Sequence, residues 1–92
     1  MIIVSQDRKS IYNFENIKSI DVAGNSICIT DNILKDKGAE IGQYKTEKRA
    51  KEVLEEIMKN YEISIDYKYN QTLFVKDLEE YRQSLVYKMP KE

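Results

Sequence analysis

The amino-acid sequence predicts an α+β fold, in which an antiparallel sheet of about five strands packs against one amphipathic helix, with a smaller C-terminal strand and helix extension. Two observations predict this fold. Short β-rich runs separated by turn formers fill residues 1–44, and an apolar stripe with helical spacing follows from residue 47. The length of 92 residues suits one domain, so we expect a single domain over residues 1–92.

Four of the predicted strands form two hairpins. They are expected at residues 2–5, 11–14, 17–23 and 26–30. Gly24 and Asn25 tolerate positive φ and predict the turn of the second hairpin. Because side chains alternate along a strand, one face of this hairpin is expected to carry the apolar residues Ile20, Val22, Ile27 and Ile29.

A polar loop and a fifth strand are predicted before the helix. Residues 31–38 contain turn formers and few apolar residues, which is typical of a loop. Residues 39–44 are predicted to be extended. Gly42 within them indicates a β-bulge or a close approach of the backbone.

The predicted helix covers residues 47–61. Thr46 is a favourable N-cap, and Glu47 places a negative charge where the helix dipole favours one. The buried stripe is expected to consist of Ala50, Val53, Leu54, Ile57, Met58 and Tyr61. The change Leu54→Ala is accordingly expected to cost roughly 2–5 kcal/mol of stability.

The C-terminal third contains one further strand pattern and one further helix pattern. Apolar residues alternate over residues 63–69, which predicts a strand. The spacing of Phe74, Leu78, Tyr81 and Leu85 predicts a second helix over about residues 73–85. Residues 86–89 are expected to be extended before Pro90.

The composition points away from enzymes, metal sites and cofactors. Cys28 is the sole cysteine and histidine is absent, which excludes an intramolecular disulfide and a Cys/His zinc site. A thiol nucleophile needs a base or cation beside it, so Cys28 is interpreted as an inert sheet residue. We therefore expect no catalytic residues, no metal and no cofactor, and a protein that is not an enzyme.

Cytoplasmic localisation is expected. The apolar run at residues 2–4 is too short for a signal peptide, and no stretch reaches the ~20 apolar residues of a membrane span. A lone cysteine also fits a reducing compartment. The net charge of −1, from 15 basic and 16 acidic residues, weighs against nucleic acid as the partner.

Tyrosine is the one residue type in excess, with seven in the chain. In the predicted strand at residues 63–69, Tyr67 and Tyr69 would share a face on either side of Lys68. Together with Tyr81 they are the predicted interaction residues, because exposed tyrosines are enriched at protein interfaces. Two other interpretations stay open, namely half-buried sheet positions and stacking on single-stranded nucleic acid.

Three segments of the sequence are informative together, namely residues 3–7 and 11–17 (IVSQD and IYNFENI), residues 42–57 (GQYKTEKRAKEVLEEI) and residues 86–90 (VYKMP). They resemble a group of short phage and prophage proteins of Gram-positive bacteria. The resemblance implies a strand-rich sheet followed by a helix. It implies no activity, since no function is attached to the group.

The function expected from the sequence is that of a small non-catalytic protein-binding module. By the resemblance it would be a phage-type accessory protein that binds a host protein stoichiometrically, of which a host-defence inhibitor is one example. The alternative is a small homo-oligomeric structural protein. A single-stranded nucleic-acid or nucleotide binder is the remote alternative. No membrane partner is expected.

Overall fold

The computed structural model describes residues 1–31, 38–69, 79 and 82–92, and for residues 66–69 it describes the backbone alone. Strands, one long helix and a short 3-10 turn (η1) make up its regular structure. Their bounds are β1 Ile2–Val4, β2 Ile11–Asn13, η1 Phe14–Asn16, β3 Ile17–Ala23, β4 Ser26–Asp31, β5 Ala39–Gln43, α1 Glu47–Tyr69 and β6 Val86–Lys88.

The strands form two three-stranded sheets, so the α+β class is confirmed and the prediction of about five strands in one sheet is wrong. The mixed sheet has the order β2-β1-β6, with β1 antiparallel to β2 and parallel to β6. The antiparallel sheet has the order β3-β4-β5. The chain leaves the first sheet at η1, where the Asn13 side chain accepts a 3.1 Å hydrogen bond from the Glu15 N–H. Turn η1 separates β2 of the mixed sheet from β3 of the antiparallel sheet. Strand β6 pairs with β1 on the side opposite to β2.

The β3–β4 hairpin follows the sequence prediction. Gly24 has φ +63°, a conformation that glycine adopts without strain. Ile27 and Ile29 are fully buried. In the pairing of β4 with β5, Ile27 lies opposite Gly42, but its neighbour Cys28 lies opposite Glu40. Strand β5 therefore carries one extra residue at this point. The β-bulge predicted near Gly42 is therefore present.

Helix α1 begins where predicted but continues further. The Arg49 N–H donates to Thr46 Oγ1 over 3.1 Å, which confirms Thr46 as the N-cap. The helix runs to Tyr69, so the predicted strand over residues 63–69 is wrong. Extending a formed helix by one residue costs far less than nucleating a new element, and no proline or glycine interrupts residues 62–69. Ser64 fits the helix because its hydroxyl donates to the Tyr61 carbonyl over 2.7 Å.

The buried line of α1 is narrower than the predicted stripe. Ala50, Val53 and Ile57 are fully buried, whereas Leu54 is half-buried and Met58 is 53% exposed. Met58 lies about 100° around the helix from Ile57 and so turns away from the sheets.

One core joins both sheets to the helix. The mixed sheet and the residue after β6 contribute Ile3 and Met89, while the antiparallel sheet and α1 contribute most of the rest. The buried cluster is Ile3, Ile27, Ile29, Ile41, Tyr44, Ala50, Val53, Ile57 and Met89.

The remaining sequence predictions fall partly outside the described residues. Residues 32–37 of the predicted loop lie outside them, as does most of the predicted helix at 73–85, of which residues 79 and 82–84 are described and helical. The extended segment predicted at residues 86–89 is present as β6. In the part of the chain that the structure covers, no helix combines the length and apolarity needed to cross a membrane.

Candidate protein-binding surface

The mixed sheet has one face toward the core and one face toward solvent. Its register pairs Ile3 with Tyr12 on one side and with Tyr87 on the other, and this row faces the core. Side chains alternate between faces along each strand. The rows on either side therefore form the outer face of the mixed sheet, which consists of Ile2, Val4, Ile11, Asn13, Val86 and Lys88.

This outer face is largely apolar and exposed. Ile11 is 71% exposed, Val86 is 46% exposed and Ile2 is 41% exposed. Because neighbouring strands lie about 4.8 Å apart, these side chains form a continuous patch. Contiguous exposed apolar surface in a small protein is typical of an interaction site.

The antiparallel sheet has a polar outer face. Its register places Asp21, Cys28 and Glu40 in one row across the three strands. Burial, and then the carboxylates of Glu40 and Asp21, raise the pKa of the Cys28 thiol. A raised pKa disfavours the reactive thiolate, so this row offers no activated nucleophile. Among the described residues, no group of three or more His, Cys, Asp or Glu side chains is placed to hold a metal ion.

The C-terminal residues fix the mixed sheet to the core. Met89 is fully buried, and its N–H donates to the Val4 carbonyl over 2.9 Å. Arg8 donates from Nη1 to the carbonyl oxygens of Met89 (2.8 Å) and Ser5 (3.1 Å). The Met89 Cε would lie 2.9 Å from a Cβ built on Gly42, so a side chain, and not the backbone, approaches this glycine closely.

Gln6 joins the two sheets at the edge of β5. Its backbone N–H donates to the Ile41 carbonyl over 2.8 Å. Its side-chain amide then pairs with Gln43, accepting from the Gln43 N–H at 2.8 Å and donating to the Gln43 carbonyl at 2.9 Å. This amide imitates a strand partner for β5. The mixed sheet is therefore held in one position relative to the antiparallel sheet, and its outer face is a preorganised surface.

Helix α1 is bonded to the mixed sheet through polar side chains. The Tyr87 hydroxyl donates to Glu56 Oε2 over 2.8 Å, and Glu56 Oε1 lies 3.5 Å from Arg49 Nη1. Burial, and then the hydrogen bond to Glu56, raise the pKa of Tyr87. Asn60 Nδ2 donates to the Ser84 carbonyl over 2.9 Å. A groove of about 370 Å³ lies beside these contacts, lined by Glu56, Lys59, Asn60, Ile63, Gln83, Ser84 and Tyr87.

The interaction residues predicted from the sequence are not brought onto one strand face. Tyr67 and Tyr69 belong to α1 and not to a strand. The predicted shared strand face is therefore wrong. Their side chains, and Tyr81 entirely, lie outside the described residues. Their role in binding stays a prediction.

Sequence reasoning missed the outer face of the mixed sheet. Residues 2–4 and 11–12 are apolar runs without a polar alternation. A continuous apolar run is typical of a strand that is buried on both faces, so nothing marked one face as exposed. No local signal marked the outer face, because only Asn13 and Lys88 interrupt its apolar residues and the register of the strands is needed to bring the rest together.

Comparison of the chain with protein-family models, with curated proteins and with solved structures finds no match.

Proposed function

We propose that this protein is a non-catalytic protein-binding module that contacts another protein through the outer face of the mixed sheet. The observation that carries the proposal is the exposed apolar patch of Ile2, Ile11 and Val86 on a sheet that is otherwise firmly held. A phage-type accessory role, with a host factor as partner, rests on the resemblance of the three sequence segments alone.

The shape of the patch favours a protein partner. Its apolar side chains run diagonally across the sheet from Val86 through Ile2 and Val4 to Ile11, and the polar Asn13 and Lys88 lie at the two remaining corners. Interfaces commonly combine an apolar centre with a polar rim. The sheet is preorganised, so little conformational entropy is lost at the protein surface when a partner binds.

A small homo-oligomer is the second candidate. The same apolar face could pair with its copy around a two-fold axis, which needs no partner of another sequence. Stable homodimers usually bury well over 1,000 Å² in total, however, and three strands of three residues each offer a small contact area. Because the sheet alone offers less area than a stable homodimer buries, a partner that also contacts surfaces around the sheet is favoured.

The test compares two variants that add the same charge to opposite sheets. Ile11→Lys places a lysine on the apolar outer face, and Ala23→Lys places one at an exposed position on the polar outer face. Both positions are exposed, so both variants should stay within about 0.5 kcal/mol of the original stability. The original chain and the two variants are each used as bait to isolate binding partners from lysate of the source cells. The affinity of each purified partner for the three proteins is then measured.

The proposal expects a partner that binds the original chain and Ala23→Lys equally but binds Ile11→Lys at least about tenfold more weakly. Equal binding by both variants would contradict it. Sedimentation of the purified chain separates the two candidates. A dimer at micromolar concentration that dissociates on Ile11→Lys would favour the homo-oligomer instead.

A further inference from the structure

Among the strands that the structure describes, β6 lies at one edge of the mixed sheet. The Ile2 N–H donates to the Leu85 carbonyl over 2.8 Å, and the Met89 N–H donates to the Val4 carbonyl over 2.9 Å. Alternate residues of a strand direct their N–H and C=O groups to the same side. Val86 and Lys88 therefore direct theirs away from β1. Within the described residues, neither makes a backbone hydrogen bond on that side.

The groove between β6 and α1 lies beside this open edge. Tyr87 of β6 and Glu56, Lys59 and Asn60 of α1 belong to its lining. A strand added to the sheet would run about 4.8 Å from β6. Half of its side chains would then enter the groove, and the other half would extend the outer face beyond Val86.

Cations lie on both sides of the edge. Lys59 lines the groove, and Lys88 stands on the outer face. Glu56 also lines the groove, but its carboxylate is already engaged by Tyr87 and Arg49. A strand with carboxylates could meet Lys59 from its groove-facing side chains and Lys88 from its outward ones.

We propose that β6 accepts an extended, acidic segment of another protein as an added strand. Main-chain hydrogen bonds to Val86 and Lys88 supply affinity, and the groove and the two lysines select the side chains, as in recognition by strand addition. This binding mode goes beyond the proposed function. It uses the edge of β6 and the groove, whereas the proposed function uses the outer face around Ile11.

The test uses a fluorescent peptide with the repeat Glu-Glu-Val-Val, which places glutamates on both faces of an extended strand, with binding followed by fluorescence anisotropy. The informative pair of variants is Lys88→Pro and Lys88→Thr. Both remove the charge, but only proline removes the outward N–H. Proline is tolerated on an edge strand when its missing N–H is the outward one. We expect Lys88→Pro to bind about tenfold more weakly than Lys88→Thr, the effect of one lost hydrogen bond.

A second pair tests the charges in the groove. Lys59→Glu reverses a groove cation, and Lys48→Glu makes the same change at an exposed position in the first turn of α1. Only the first is expected to weaken peptide binding. Ile11 lies two strands from β6, so Ile11→Lys should leave peptide binding unchanged and the two proposals can fail separately.

A version of the peptide with an N-methyl group on every residue, so that neither edge of the strand can pair, gives the same test on the unaltered chain, should Lys88→Pro fail to fold. It is expected not to bind. Equal binding of the methylated and unmethylated peptides would overturn the proposal. So would amides of Val86 and Lys88 that resist hydrogen exchange in a dimer of the free protein, since a second copy would then occupy the edge.

Discussion

The antiparallel sheet and the mixed sheet bury their inner faces in one core, but they turn different surfaces to solvent. Across the antiparallel sheet, the outward row of Asp21, Cys28 and Glu40 is polar. On the mixed sheet the outward positions include the exposed apolar residues Ile11 and Val86. The antiparallel sheet follows the usual pattern of one apolar and one polar face. The mixed sheet is largely apolar on both faces, so burying its outer face against a partner would lower the free energy.

The largest effect on stability is expected from Met89→Ala, which tests how the mixed sheet is attached to the core. Met89 is fully buried between the sheets, so Met89→Ala should lower the free energy of unfolding by about 2–5 kcal/mol. Met58→Ala is the matched control, because Met58 is 53% exposed and should change stability by less than about 0.5 kcal/mol. Urea unfolding measures both. Similar losses in the two variants would mean that the C-terminal residues do not hold the sheet.

The substitution Gly42→Ala tests the same attachment of the mixed sheet, here from strand β5 of the antiparallel sheet. An added Cβ would lie 2.9 Å from Met89 Cε and 3.1 Å from the Tyr44 ring, so Gly42→Ala should cost about 1–3 kcal/mol by overpacking. At Gly38 the nearest atom would be 3.6 Å away, an ordinary contact. Gly38→Ala should therefore be tolerated, and the difference in melting temperature between the two variants is the readout.

The contact between α1 and β6 should depend on alkaline pH. Since folding raises the Tyr87 pKa, protonated tyrosine stabilises the fold below the unfolded pKa of about 10, and this contribution is lost as the pH rises above it. Tyr87→Phe should cost about 1 kcal/mol at neutral pH. It should also reduce the fall in stability above pH 10, as measured by urea unfolding across that range. An unchanged alkaline fall would show that folding does not raise the pKa of Tyr87.

The smallest effect is expected on the polar outer face. Cys28→Ser should change stability by less than about 1 kcal/mol and leave partner binding intact, because the thiol is half-buried and its pKa is raised. Thiol labelling near neutral pH should accordingly be slower than labelling of free cysteine. Rapid labelling, or loss of binding in a folded Cys28→Ser protein, would move the functional surface to the antiparallel sheet.

Local features of this fold could be predicted from the sequence because their signals lie within a few residues. Thr46 precedes the helix that it caps, Gly24 occupies the turn that needs positive φ, and Gly42 lies beside the bulge. The split into two sheets had no local signal. It depends on the pairing of Ile3 with Tyr87 across almost the whole chain, and on the short turn at η1.

The helix face and the binding surface were predictable only in part. The apolar spacing of α1 includes Leu54, but two sheets of this size cover only the line through Ala50, Val53 and Ile57. The cost of 2–5 kcal/mol expected for Leu54→Ala therefore belongs to Ile57→Ala, and Leu54→Ala should cost less. The outer face of the mixed sheet could not be identified without its register, because Ile2 and Ile3 are the same residue type with opposite exposure.

Photocross-linking tests the central claim most directly. A benzophenone amino acid is placed at position 11 on the outer face of the mixed sheet and, in a second protein, at position 23 on the antiparallel sheet. Each is irradiated in lysate of the source cells, and the adducts are identified by mass spectrometry. The proposed binding surface predicts a defined adduct with another protein from position 11 and none from position 23. The same adducts from both positions, or adducts from position 11 only with a second copy of the chain, would contradict it.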